Sequence, residues 1–529
     1  MSRRGSLLVA TGILLSRIFG LVRQMLLAHF LGQGNAADAL NTAFRIPNFL
    51  QNLLGEGALS ASFIPSYARL LGDDDDEARR LAGAVLSVLL VSVAVIVLAG
   101  ELATPWLMDV LVSHKWTPEK RALTQTLVRI LFPGAGIMVL SAWCLGVLNS
   151  HRKFLLSYAS PVVWNVAIIG TIVLFARGQT QERFVVYAAF GAVAGSVAQV
   201  LVQLPAVFRV GGRIGPTAWG RARELPRVVK AFLPNVLSRG ANQISALVDL
   251  FIASSIPITG AVTAISNAQV LYTLPVSLFG MAVSAAELPE MARERGDAAT
   301  IATALRLRLS GATQRLAFYI VPSALGFLTL GGVIASAVFQ TPRGRFTPAD
   351  SYFVWIVLAG SATGLLASTL GRLYASTFYA LNDTTTPLRC GIIRVMLTAA
   401  LGWLAAIILP PVLGLDPHWG AAGLTATAGI AGWVEFSLLR RSLCKRLGHF
   451  SLEGGELLKL WIAGLAAAVV GTVIRLAVAQ HLPPIPLALL AVPANAVTYL
   501  AITSWWDIPE AAVLTGRIRR TLAGGVHLP

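Results

Sequence analysis

Residues 58–69 read Ala-Leu-Ser-Ala-Ser-Phe-Ile-Pro-Ser-Tyr-Ala-Arg, and residues 282–293 read Ala-Val-Ser-Ala-Ala-Glu-Leu-Pro-Glu-Met-Ala-Arg. Six of these twelve positions are identical, including Pro65 with Pro289 and Arg69 with Arg293. At nearly the same offset Ser16-Arg17 corresponds to Ser238-Arg239, and at a similar one Leu148-Asn149 corresponds to Leu381-Asn382. Three matches in register imply two halves in parallel orientation, meeting near residue 225. Parallel repeats related by an axis along the membrane normal are a transporter architecture, with the substrate site between the halves.

The composition outside the repeat fixes the solvent. Of 529 residues, 55% are hydrophobic and 13% charged, about half the charge of a soluble domain. That is too little polar surface to cover a water-soluble particle of this length, so the chain is read as an all-α membrane protein. Scanning for stretches of about 20 apolar residues gives about 14 candidate spans. They lie near 6–31, 38–65, 80–108, 123–148, 160–177, 184–208, 228–256, 261–290, 311–340, 352–381, 388–409, 419–440, 458–479 and 485–506. The expected domains are a six-helix lobe over 1–225, a pseudo-symmetric six-helix lobe over 226–450, and two additional helices with a basic tail over 451–529. The basic start Met-Ser-Arg-Arg-Gly precedes an apolar run interrupted by Arg17 and Arg23, which reads as an uncleaved first helix.

Charge placement orients the map. With the N-terminus in the cytoplasm, roughly 27 Lys and Arg fall on the cytoplasmic side and roughly 7 outside, a strong positive-inside bias. Both termini are therefore expected in the cytoplasm. The outer loop with Lys115, Lys120 and Arg121 is the weak point. The net charge of +17 is accounted for by topology and anionic lipid, so no nucleic-acid partner is expected. The Arg-rich stretch 209–227 reads as amphipathic, lying on the membrane surface between the halves.

Catalytic signals are thin. There is no Walker A loop and no Gly-x-Ser-x-Gly elbow. The 7 histidines are scattered, and Cys144, Cys390 and Cys444 form no CxxC pair. Neither an enzyme nor a metal site is expected. The run Asp73-Asp74-Asp75-Asp76-Glu77 reads as a solvated loop rather than a divalent-cation site.

Ionisable residues inside membrane helices cost about 2.5–3.5 kcal/mol each and are functional hypotheses by default. The first helix carries Arg17 and Arg23, about 9 Å apart along the axis. The second carries Asp38 at its start, Arg45 and Glu56; the seventh adds Arg239 and Asp249, the eighth Glu287, the tenth Arg372. Bland readings compete: snorkelling for the first-helix arginines, a helix cap for Asp38, an arginine's partner for Glu56. The deep charge is nonetheless biased toward arginine in the N-terminal half. The guanidinium fork suits phosphate, so such a cavity wants an anion, and pyrophosphate fits.

Several of these residues carry a resemblance. Ser16-Arg17-Ile-Phe-Gly-Leu-Val-Arg23, the continuation Gly32-Gln-Gly-Asn-Ala-Ala-Asp38-Ala, then Phe44-Arg45-Ile-Pro47-Asn48-Phe-Leu, Glu56-Gly57-Ala58 and Phe63-Ile-Pro65 resemble the MurJ/MviN-type lipid II flippases. These belong to the multidrug/oligosaccharidyl-lipid/polysaccharide exporter superfamily. The resemblance implies a MATE-like fold and a bacterial inner-membrane location. Its implied substrate is undecaprenyl-pyrophosphate-linked peptidoglycan precursor, moved from the cytoplasmic to the periplasmic leaflet by alternating access, in the service of cell-wall biogenesis and cell shape. It further implies that Arg17, Arg23 and Asp38 match positions important for transport, that the two arginines face the pyrophosphate, and that the last two helices form a groove for the lipid tail. Arg45 and Glu56 complete the expected substrate-binding set. No cofactor is implied beyond a possible monovalent coupling cation, for which Asp249 is the candidate. Other partners would be membrane lipids, and the monomer would suffice. Two positions depart from the pattern, because Gln51 and Gln269 stand where the family often has arginine. The alternatives are an exporter of another polyprenyl-linked oligosaccharide, a cation-coupled drug exporter, and a non-transporting scaffold.

Overall fold

The structure, a computed structural model, describes residues 3–281, 283, 284, 287, 290, 291, 297–381, 383–448 and 454–522. Most of the repeat stretch 282–293 lies outside them, as do the side chains of Glu56 and Arg239. Among the described residues every regular element is helical, as the composition requires. Contacts group the chain into two compact units, Met1–Thr263 with Arg343–Phe346, and Ala264–Pro342 with Thr347–Pro529.

The first unit holds α1 (Arg3–Leu31), α2 (Asn35–Leu54), α3 (Glu56–Leu70), α4 (Asp75–Leu111), α5 (Pro118–Ser150), α6 (Phe154–Phe175), α7 (Gln181–Gly211) and α8 (Leu225–Ser255). Its core runs through Phe63, Tyr67, Leu81, Trp143 and Val147. The one polar atom of the fully buried Trp143 is satisfied, its indole N–H donating to Ala82 O at 3.1 Å. Large apolar side chains such as Leu102 and Leu174 stay about three-quarters exposed (74% and 76%). In water these would be aggregation sites; on a membrane helix they face hydrocarbon.

α9 (Ala261–Pro275) leads into the second unit, where α10 (Ala298–Phe339), α11 (Pro348–Ala362), α12 (Leu365–Ala380), α13 (Thr385–Trp403), α14 (His418–Leu447), α15 (Gly454–Val478), α16 (Pro484–Trp505) and α17 (Pro509–Leu522) follow. α15 and α16 pack on each other and on α10, anchored by Tyr499 Oη donating to Phe318 O at 2.8 Å.

Among the described residues eleven helices are long and apolar enough to cross a membrane, or twelve if the bent pair α11–α12 (44°) is one span. The two expected spans outside that set, 38–65 and 228–256, both include residues whose side chains lie outside the described ones. The expected single helix over 38–65 is in fact broken at Gly55. There a Cβ would come 2.2 Å from Gln51 O, so only glycine fits. The expected 261–290 helix likewise changes character at Pro275, beyond which Val276–Met281 is a π-helix, because proline lacks the N–H the α-ladder needs. The α11–α12 bend falls where Gly364 meets Gly429, whose Cα would lie 2.3 Å from an added Cβ; small residues let α12 and α14 approach this closely.

Two charged stretches have structural contacts. The 209–227 stretch packs against α4. Ile214 and Ala222 are buried in the first core, Thr217 N donates to Gly83 O at 3.2 Å, and Arg223 N donates to Glu77 Oε1 at 2.6 Å. The acidic run 73–77 is also put to structural use. Asp74 accepts from Glu77 N at 2.9 Å and caps α4, where negative charge meets the positive end of the helix dipole.

Candidate functional site

α1 lies along α6 and brings Arg23 onto an aromatic platform. The Arg23 guanidinium sits 4.8 Å from the centroid of the Trp164 ring, within cation–π range. Trp164 is itself fixed, since its Nε1 donates to Ala192 O on α7 at 3.0 Å and Phe44 of α2 meets it edge-on at 6.1 Å. Beside this platform a small cleft is bounded by Phe44, Asn48, Gln51, Met138, Trp164 and Ser196 among others. Gln51, one of the two positions without the family's arginine, therefore lines a cleft wall. Arg17, earlier on α1, is exposed.

Asp38 is placed differently from the expectation that it shares a substrate site with these arginines. It is 1% exposed and its carboxylate accepts four hydrogen bonds. Oδ2 takes Lys120 Nζ at 2.7 Å and Gly260 N at 2.8 Å. Oδ1 takes Thr263 N at 2.9 Å and Thr263 Oγ1 at 2.7 Å. A carboxylate has about four lone-pair sites, so none remains for a ligand. Asp38 is indeed a cap, but of the helix that begins at Ala261 rather than of its own. Lys120 is 5% exposed along its side chain and stacks on Trp116, 3.8 Å from the ring centroid. Trp116 is tied in turn by its indole N–H to Ser254 O at 2.9 Å.

This corner also explains the weak point in the charge map. Lys120 is consumed by Asp38, and Arg121 pairs with Asp109 at 2.5 Å. Two of the three bases in that loop are thus locked in ion pairs.

Arg45 and Asp249 meet where α2 packs on α8, the carboxylate of Asp249 acting electrostatically on the Arg45 guanidinium. The expected coupling-cation residue is therefore opposite an arginine, and a monovalent cation at Asp249 has to compete with it. In the second unit Gln269 is exposed and its Nε2 donates to Thr273 Oγ1 at 3.3 Å. The structure thus joins Arg23 with the cleft that Gln51 lines, joins Arg45 with Asp249, and sets Asp38 apart in a buried latch.

The comparisons with known proteins bear on this arrangement. A family profile described as "Lipid II flippase MurJ" matches residues 27–486. This chain belongs to the lipid II flippase MurJ family. Among MurJ relatives, the "Probable lipid II flippase MurJ" of Rhizobium meliloti (strain 1021) is 31% identical over 471 residues, covering 88% of this chain and 84% of the relative. The "Lipid II flippase MurJ" of Burkholderia cenocepacia is 31% identical over 454 residues, 84% of each chain. Among solved structures, a lipid II flippase MurJ in an inward closed conformation superposes with a TM-score of 0.76 at 22% identity, over 94% of this chain and 98% of that one. An inward-facing MATE-family multidrug transporter gives 0.62 at 19% identity, over 81% and 96%. The MurJ and MATE-like fold read from the sequence is thereby established.

Sequence reasoning did not single out Trp164, Trp116, Arg394 or Glu435. Tryptophan is common at membrane interfaces, so nothing in the sequence separates a platform for Arg23 from an interfacial anchor. Lys120 did leave a signal, as an excess base on the expected outer side.

Proposed function

We propose that this MurJ-family chain is a flippase that carries an undecaprenyl-pyrophosphate-linked peptidoglycan precursor from the cytoplasmic to the periplasmic leaflet of a bacterial inner membrane by alternating access. The observation that carries the reading is Arg23, held on Trp164 at a cleft in a membrane-embedded unit, with Arg17 exposed on the same helix. A guanidinium is charged at every physiological pH and offers a planar donor fork that matches phosphate oxygens. Nothing covalent happens in such a cycle. The arginines capture the pyrophosphate from the cytoplasmic side, the last helix pair holds the polyprenyl tail, and the protein changes which side it opens to.

The proposed topology has both termini in the cytoplasm, and the proposed working form is the monomer. A membrane potential negative inside assists outward movement of an anion by about 2.3 kcal/mol per charge per 100 mV. Coupling to a monovalent cation at Asp249 is the further possibility we propose to test: Asp249→Asn abolishes any sodium or proton dependence of transport if Asp249 holds the ion, and leaves it intact if Asp249 serves Arg45.

The deciding experiment is rescue of a bacterium depleted of its own lipid II flippase. Wild type restores growth, and Arg17→Ala or Arg23→Ala, inserted at equal levels, does not. Full rescue by both variants refutes the pyrophosphate clamp. No rescue by membrane-inserted wild type refutes the substrate.

A further inference from the structure

The second unit carries a cluster of deep charge that the reading above does not use. Arg372 lies midway along α12, Arg394 on α13 and Glu435 midway along α14, all away from the ends of candidate spans. Arg394 Nη1 donates to Glu435 Oε2 at 3.1 Å. The three helices close round that carboxylate through glycines. A Cβ built on Gly371 of α12 would stand 3.9 Å from Glu435 Oε2, and one on Gly391 of α13 would stand 4.0 Å from Oε1.

Arg372 is exposed and has no direct ion pair among the described residues, yet it lies within electrostatic reach of Arg394, Glu435 and Tyr272 of α9. Tyr272 Oη and Ser368 Oγ are hydrogen-bonded at 2.7 Å, and Ser368 is one turn before Arg372. Gln269, one turn before Tyr272, brings no charge to this face.

Two guanidinium groups therefore share one carboxylate, and the cluster keeps a net positive charge. An exposed cation at this depth is costly unless it meets a counter-anion or water. The neighbouring hydroxyl protons are already engaged, Tyr272 Oη on Ser368 Oγ at 2.7 Å and Ser368 Oγ on Leu365 O at 3.1 Å, so an anion here is held by the guanidinium charge. We propose that Arg372, backed by the Arg394–Glu435 pair, is a phosphate-binding subsite in the second unit that takes the pyrophosphate of the same polyprenyl-linked substrate. This rests on the flippase reading. Glu435 acts as a positioning residue: it holds Arg394 in place and trims the charge from two to one, so that the anion is bound yet can leave.

The test uses full-length protein in detergent, with undecaprenyl pyrophosphate, inorganic pyrophosphate and phosphatidylglycerol titrated separately. Arg372→Ala weakens both pyrophosphate ligands on the order of tenfold, the size of one lost charge-assisted hydrogen bond, and leaves phosphatidylglycerol unchanged. Glu435→Gln, which removes the trimming charge, tightens them several-fold; a merely structural pair gives no such gain. If Arg372→Ala is recovered poorly, Arg372→Gln keeps the side-chain length and loses the charge. Unchanged pyrophosphate binding in a folded Arg372 variant overturns the subsite while the flippase reading stands. Loss confined to phosphatidylglycerol overturns it in favour of a bulk-lipid contact. Failure of wild type to bind undecaprenyl pyrophosphate overturns the flippase reading itself.

Discussion

Replacing Lys120 with methionine tests the buried latch directly. The variant keeps most of the side chain's volume and its contact with Trp116 but removes the ammonium 2.7 Å from Asp38 Oδ2. Asp38 is then a carboxylate at 1% exposure with three neutral donors, Gly260 N, Thr263 N and Thr263 Oγ1, and no opposite charge. Removing one partner of a buried ion pair costs about 3–5 kcal/mol. The three surviving donors place this case at the low end, about 3 kcal/mol. Asp38→Asn should cost about 2 kcal/mol on its own, because its amide turns one accepting atom into a donor that faces other donors. The double variant should cost at least about 1 kcal/mol less than the sum, because the charge each single change strands is absent. The assay is reversible denaturant unfolding of purified protein in mixed micelles, as a double-mutant cycle. Additivity within about 0.5 kcal/mol, or a Lys120→Met variant as stable as wild type, would refute the reasoning.

Other outcomes follow from the same geometry. Gly55→Ala puts a methyl 2.2 Å from Gln51 O; we expect a loss of about 1–3 kcal/mol as in overpacked sites, measured as a lower melting temperature, whereas Gly72→Ala, with nothing within 4 Å of its Cβ, suffers only from its left-handed φ of +87°. Trp164→Leu removes a cation–π contact of about 0.5–2 kcal/mol and should impair rescue at normal protein levels, with Trp164→Phe recovering part of it. Asp383 accepts from Thr385 N at 2.9 Å and Thr386 N at 3.0 Å in the turn before α13, and these backbone donors, with the two threonine hydroxyls and Arg446, hold its carboxyl well below the usual carboxylate range. A depressed folded-state pKa stabilises fully above the unfolded value and is lost as pH falls toward the folded one. Asp383→Ala should therefore cost about 1 kcal/mol at pH 7, and its difference from wild type should shrink as pH falls below about 4; a gap that stays constant with pH would contradict the assignment.

The lobed helical fold was legible early because its signals are local or periodic. A bilayer demands long apolar runs and helical backbone pairing, so composition named the solvent and segment length named the elements. The repeat of 58–69 in 282–293 carried the two halves, and the polar residues along 16–65 carried the family, since polar identities inside apolar helices are rarely accidental. Where helices stop was less legible. Nothing in the sequence around Gly55 distinguishes a break from a tolerated glycine, and the difference is one backbone oxygen 2.2 Å from an absent Cβ.

What each charged side chain does was decided by tertiary structure. Asp38 and Arg23 both read as costly groups in or beside membrane helices, yet one is sealed by four donors from sequence-distant backbone and side chains, and the other rests on an indole at a cleft. Arg45 and Asp249 became partners, and Arg372, Arg394 and Glu435 a cluster, only when helices far apart in the chain packed together. An ionisable residue announces its own desolvation cost in the sequence, because that cost depends on its segment. The partner that offsets the cost depends on which helix faces it, and in this chain that is set by close glycine contacts such as Gly364 on Gly429.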